Sequence, residues 1–220
     1  MGMLKDADSI DDYIIFRPQY IMSYNKNRNV NRDWYGGAVR YSGSFMTDTS
    51  LPVKFYRVKH SDYTNSGFDR GHMVRSDERT ATDADNRSTF ILSNILPQTP
   101  DLNQGVWLNM EYWCETMCKD SLKELYVIAG GIYSATPNTI GNGVAVPDSC
   151  WKIVVVLEKG QGWKNVTAST RVEAVIMPNV QGVRNDKWQQ YKRSVKDIER
   201  VTGYNFLNEL NATVQATIEK

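Results

Sequence analysis

The hexapeptide Phe68-Asp69-Arg70-Gly71-His72-Met73, FDRGHM, decides how the rest of the chain is read. The chain has two histidines, and one of them directly follows an acid, a base and a glycine. A packed core has no use for such a trio. A site that must hold an imidazole against a negatively charged substrate does: the arginine faces the charge, the glycine permits close approach and the acid anchors the turn. Charge is consistent with this. Between Lys26 and Arg75 nine basic residues stand against four acidic ones, although a solvated mixed-charge surface explains that excess equally well.

Across its 220 residues the chain is 41% hydrophobic and 23% charged, with a formal net charge of +1. This supplies a core for one globular domain, residues 1–220, with 1–20 as a peripheral N-terminal segment, and excludes a disordered acidic or basic tail protein. Net charge alone points to neither nucleic acid nor membrane. The opening residues, MGMLKDADSIDDY, carry acids where a signal peptide has an apolar stretch, and no later run reaches the length of a membrane span. The chain is therefore expected to be soluble. Three cysteines, Cys114, Cys118 and Cys150, are too few for a disulfide framework and leave at least one thiol unpaired.

Short apolar runs bounded by turn formers predict strands at Thr89–Leu96, Glu124–Ala129, Lys152–Leu157 and Val172–Met177. Trp107, Met110, Cys114 and Met117 recur at helical spacing and predict a helix over Val106–Leu122. A second helix is expected over Asp186–Thr202, stopping at Gly203 as a C-terminal cap, and Pro97–Gly105 reads as the loop leading into the first helix. Strands and helices mix without regular alternation, so the class is α+β.

Three polar features stand out of place. Asn94 lies inside TFILSNIL and must hydrogen-bond if buried, since an unpaired amide costs about 1–3 kcal/mol. Asn103, in NQG, sits where a helix N-cap falls, and capping is the commoner fate of such a residue. Glu111 and Glu115 are four apart, so on a helix they share a face and repel unless a cation lies between them.

Taken in order, DRGHM and then TFILSNILPQTPDLNQGVWLNMEYWC (residues 89–114) resemble the signature of the DNA/RNA non-specific endonuclease family, the ββα-metal nucleases. The likeness runs on through ELYVIAGG, CWKIVVVL, RVEAVIMPN and VTGYNFL, and is closest to the cyanobacterial and bacterial branch. The resemblance implies a ββα-metal (His-Me finger) nuclease fold, a central antiparallel sheet flanked by helices. It makes His72 the general base, Asn103 the direct magnesium ligand, Glu111 the carboxylate holding metal-bound waters and Asn94 an active-site asparagine. Arg70, Asp69 and Gly71 complete the motif. An upstream arginine contacts phosphate in the family, and Arg40, five residues before Phe45, is the candidate here, with Arg28, Arg32 and Arg57 as alternatives. Glu115 departs from the pattern, since relatives often carry an arginine four residues after the glutamate. The implied cofactor is Mg2+, with Mn2+ as a substitute, the implied partners are DNA and RNA held through phosphate, and the implied location is secreted or otherwise extracytoplasmic.

The chemistry suits these residues. Histidine, with an ordinary pKa of about 6.5, is largely neutral and able to accept a proton from water at pH 7. Magnesium keeps several waters, so one amide can fix it while a carboxylate orders the hydrated shell. Two other chemistries have weaker support. Thiol catalysis by Cys114, Cys118 or Cys150 with His72 lacks any surrounding signature, and structural zinc would need a tighter turn than a helical CxxxC. His60 reads as a plain surface or core residue. A non-catalytic binding relative, with Trp34, Tyr35 and Tyr41 stacking on bases, would have no need for His72, Asn103 and Glu111 together.

Overall fold

Long branched apolar runs flanked by turns build the central strands of one antiparallel sheet, and α2 and α3 are placed by the face of that sheet each covers. The computed structural model describes residues 13–24, 28–32 and 36–220, the side chains of Tyr13, 22–24 and 28–32 excepted. In chain order it contains β1 (Tyr13–Phe16), β2 (Ile21–Tyr24), β3 (Arg28–Arg32), β4 (Asp69–His72), α1 (Asp83–Ser88), β5 (Ile95–Gln98) and α2 (Trp107–Lys119). There follow β6 (Lys123–Ile132), β7 (Thr139–Ile140), β8 (Val144–Ala145), β9 (Ser149–Glu158), β10 (Arg171–Pro178), α3 (Val195–Thr202) and α4 (Ala212–Ile218). The main sheet has the order β1-β2-β3-β6-β9-β10, antiparallel throughout. A separate hairpin-like pair, β4 with β5, precedes α2, which gives the ββα unit.

Strand β9 shows why both faces of the sheet are buried. Cys150, Val154 and Val156 pack with Trp107, Met110 and Cys114 of α2 on one side. Trp151, Ile153, Val155 and Leu157 pack with Val195, Ile198, Phe206 and Ile218 on the other. Alternate residues thus face alternate helices, and the strand reads as a continuous apolar run because neither face meets water. Lys152 breaks that run on the α2 side and is only 1% exposed.

The expected strands at 124–129, 152–157 and 172–177 lie inside β6, β9 and β10, and the helix expected over 106–122 is α2. Two expectations need correction. The strand predicted over 89–96 is instead a turn and a short 3-10 segment, Leu92–Asn94, with β5 starting at Ile95 and running through Pro97 and Gln98. The cause is Asn94, whose amide bonds the Val74 and Thr89 backbone and so competes with a ladder. Proline is tolerated in β5 because that strand is paired on one side only. The helix predicted over 186–202 is broken into a 3-10 turn, Trp188–Tyr191, and α3. Lys192 bridges to Val175 of β10, Arg193 donates to the Ala174 carbonyl, and Ser194 with Asp197 forms a capping box that restarts the helix. Gly203 caps α3 in the left-handed conformation, at φ 73°.

At the N-terminal side, β1 is the edge of the main sheet, while Ile15 and Tyr20 pack with Leu51 and Val74. Lys26, Asp33, Trp34, Tyr35 and residues 1–12 lie outside the described residues.

The segment that leads from β5 to α2 is tied down by Asn179, just past β10. Its amide oxygen accepts from Thr99 N–H at 2.7 Å, and its nitrogen donates to the carbonyls of Pro97 (3.0 Å) and Pro147 (2.8 Å). Replacing Asn179, which is 8% exposed, with alanine strands three buried backbone groups. Chemical denaturation of Asn179→Ala is expected to show a loss of at least about 1–3 kcal/mol.

Candidate active site

Strand β4 distributes its side chains by alternation. Arg70 and His72 project to one face, Asp69 and Gly71 to the other. On the first face the His72 ring lies 5.4 Å from Phe45 and 5.0 Å, edge-on, from Phe90 (centroid distances). Phe45 reaches that position because Met46 N–H donates to the Phe90 carbonyl and Leu92 N–H donates to the Met46 carbonyl, zipping the two segments together. Arg40 stacks over Phe90 at 5.0 Å and donates to Ser76 Oγ. Arg70 stacks over Phe45 and Tyr63, at 5.6 and 5.3 Å, and donates to the His60 carbonyl at 3.0 Å.

His72 is therefore boxed by two aromatic rings and two nearby cations. Burial, then the positive charges of Arg40 and Arg75, push its pKa down to about 3. Nε2 is shielded from solvent and accepts no hydrogen bond. The imidazole is consequently neutral, and one of its two nitrogens can accept a proton.

On the second face, Asp69 Oδ2 accepts from Asn103 Nδ2 at 2.9 Å and from Gln104 Nε2 at 2.6 Å. An ionised carboxylate can only accept, so the Asn103 nitrogen must face Asp69 and its carbonyl oxygen must point away. Asn103 is not the helix cap that local reading suggests. It lies in a widened π turn, Leu102–Val106, kinked at Gly105 (φ −115°, ψ −109°), a form common at functional sites. Gly105 is required by closeness: a Cβ there would sit 2.5 Å from the Arg184 backbone. The same neighbouring loop grips the turn through Gly182 N–H and Arg184 Nε, both donating to Asp101.

Glu111, one turn into α2, is 6% exposed and lies between two cations. Lys152 Nζ is 3.5 Å from Oε1, and Arg75 Nε is 3.7 Å from Oε2. Both separations exceed ordinary N–H···O hydrogen-bond length, so the charge is balanced without a hydrogen bond from either cation, and Oε1 is a buried oxygen with no hydrogen-bond partner. Arg75 also pairs with Glu115 at 2.8 Å and Asp77 at 2.7 Å. Burial disfavours its charge, but Glu111, Glu115 and Asp77 outweigh burial and raise its pKa. Glu115 in turn binds Lys119 at 2.5 Å.

The remaining motif residues act on the backbone. Asn94 is fully buried; both of its amide protons go to the carbonyls of Val74 and Thr89, and its oxygen accepts from Val74 N–H. It braces the chain two residues beyond His72. A Cβ on Gly71 would meet the Gln98 side chain at 2.1 Å, so its close neighbour is that buried amide. Among the alternative arginines, Arg57 binds the Leu51 carbonyl, and the side chains of Arg28 and Arg32 lie outside the described residues. His60 is exposed. None of the three cysteines is in a disulfide; burial pushes Cys150 up to about 12, against its use as a nucleophile. No group of three or more His, Cys, Asp or Glu side chains among the described residues could hold a metal ion. Sequence reading missed Arg75 and Lys152. Lys152 had a signal, a lone charge inside KIVVVL; Arg75 had none beyond its sign.

The donors that remain, the Asn103 amide oxygen and the uncommitted Glu111 Oε1, are hard oxygens that suit a strongly hydrated divalent ion such as Mg2+ or Mn2+.

Residues 5–213 match the family model of the DNA/RNA non-specific endonucleases. The chain is 42% identical over 218 residues to a nuclease of Nostoc sp., covering 95% of this chain and 78% of that protein. It is 28% identical to human mitochondrial endonuclease G, covering 80% of this chain and 60% of the relative. A crystal structure of the EndoG/EndoGI complex superposes with a TM-score of 0.76 at 24% identity, covering 91% of this chain and 87% of the other, and bears out the α+β ββα-metal fold.

Because folding lowers the His72 pKa, the unfolded chain takes up a proton that the native state refuses as pH falls from about 6.5 towards about 3. Stability from this residue is present above that window and is lost on descending through it. Urea midpoints at pH 7 and pH 4 should therefore differ less in His72→Phe than in the wild type.

Proposed function

The chain belongs to the DNA/RNA non-specific endonuclease family and is a nuclease, and from that premise we propose that it is a magnesium-dependent, sugar-non-specific endonuclease. It acts as one catalytic domain over residues 1–220. It hydrolyses single- and double-stranded DNA and RNA to 5′-phosphate and 3′-hydroxyl ends, with Mn2+ able to replace Mg2+. The observation that carries this reading is the division of labour on β4: His72 stands neutral on one face, while Asp69 on the other turns the Asn103 carbonyl oxygen outward.

The His72 imidazole takes the proton of the attacking water. A base held near pKa 3 is weak, but a phosphate arriving beside Arg40 offsets that arginine's positive field on the imidazole and raises its basicity as the substrate binds. Arg40, exposed at the surface, and Arg70 supply charge-assisted bonds to phosphate oxygens. Asn103 would hold the metal directly, and Glu111 would order its waters from outside. Magnesium, when bound, supplies Lewis-acid charge to the phosphate and the departing oxygen. Phosphate contacts read no base, so cleavage has little sequence preference.

No helix among the described residues is long and apolar enough to cross a membrane. An enzyme that cuts RNA and DNA alike endangers its host's own nucleic acid, which favours a secreted or otherwise extracytoplasmic site of action.

Supercoiled plasmid and total RNA, incubated with wild type, His72→Ala and Asn103→Ala in Mg2+ or EDTA, test the proposal. Only metal-loaded wild type should degrade both at full rate, with losses of about 10²–10⁴-fold for His72→Ala, the range for removing a general base. Equal cutting by His72→Ala would remove the proposed base, and full activity in EDTA would remove the metal.

A further inference from the structure

We propose that Arg75 is a positioning residue for the reaction, clamping Glu111 from the β4 side, and that Glu115 is the anchor that holds Arg75 in place. The inference rests on the nuclease reading above and assigns within it a residue that the family signature does not supply.

Arg75 follows His72 by three residues, so the chain that sets the imidazole also sets this guanidinium. Its three nitrogens face three carboxylates: Nε faces Glu111 at 3.7 Å, Nη1 faces Glu115 at 2.8 Å and Nη2 faces Asp77 at 2.7 Å. Its side chain is 9% exposed and its guanidinium lies 5.1 Å from the Tyr112 ring. Such a group is not a free arm for phosphate. Every edge of its fork is occupied by protein, and what it does is join β4 and the turn after it to one face of α2.

The arrangement accounts for the acid at 115. Glu111 and Glu115 are one helical turn apart and would repel without a cation between them. An arginine at 115 would reach Glu111 from within α2. Here the guanidinium comes from position 75 instead, and Glu115 receives it with a short hydrogen bond, while Glu111 receives charge without one. Lys152 opposes it from β9, 3.5 Å from the other carboxylate oxygen. Glu111 is thus fixed from two sides, with Oε1 accepting no hydrogen bond from the protein.

The test uses Arg75→Ala, Glu115→Gln and the relocated pair Arg75→Ala/Glu115→Arg, each read for Mn2+ affinity by electron paramagnetic resonance without nucleic acid, for kcat on plasmid, and for unfolding midpoint. Arg75→Ala should weaken Mn2+ binding and turnover by roughly 10–100-fold, the usual cost of losing an outer-sphere partner. Moving the guanidinium to 115 should restore most of both. If Arg75→Ala does not fold, Glu115→Gln, which loosens the same guanidinium, should show a smaller loss of the same kind. Mn2+ affinity unchanged in Arg75→Ala, or a relocated pair that regains the wild-type unfolding midpoint but not the affinity, would overturn the proposal. Failure of the nuclease reading shows separately, as wild type that binds Mn2+ yet cuts nothing.

Discussion

Alternation along four residues of β4 is the constraint on which the site depends. Asp69, Arg70, Gly71 and His72 pair with Gln98, Pro97, Leu96 and Ile95, so the sides to which they project are fixed by the ladder. One side carries His72 and Arg70; the other carries Asp69, the acid that orients Asn103. Because α2 leaves the far end of the same unit, the turn holding Asn103 comes back against Asp69. A slip of one residue in that pairing would exchange the two sides, which is why register here matters more than the identity of any one packing residue.

Around this frame the charges form a chain of balanced pairs. Arg75 faces Glu111, Glu115 and Asp77, and Lys152 closes Glu111 from the sheet. Buried ion pairs of this kind add little net stability, since desolvation offsets much of their attraction. What they supply is orientation of the Glu111 carboxylate. The aromatic box around His72 works in the opposite sense, withholding compensation so that the imidazole stays unprotonated.

Much of this was legible in the chain. The runs in β6, β9 and β10 are long enough, and branched enough, that no helix competes, and the motif order placed His72, Asn103 and Glu111 on a ββα unit. Elsewhere local reading failed for identifiable reasons. The apolar content of 89–96 argued for a strand, but the Asn94 amide captures the backbone that a ladder would need. Helical spacing ran unbroken from Trp188 to Val201, yet pattern counting cannot register that Lys192 and Arg193 bond to β10. Asn103 sits at a plausible capping position, and only the distant Asp69 decides otherwise. Arg75 shows the limit most plainly: its partners lie up to 40 residues away, and nothing in its neighbours announces them.

The thiols carry a last consequence. Cys114 and Cys150 are completely buried, Cys118 is partly covered, and none is joined to another. The architecture owes nothing to a covalent cross-link, and a thiol held near pKa 12 offers oxidants almost no thiolate to attack. The fold therefore needs no oxidising surroundings to hold it together.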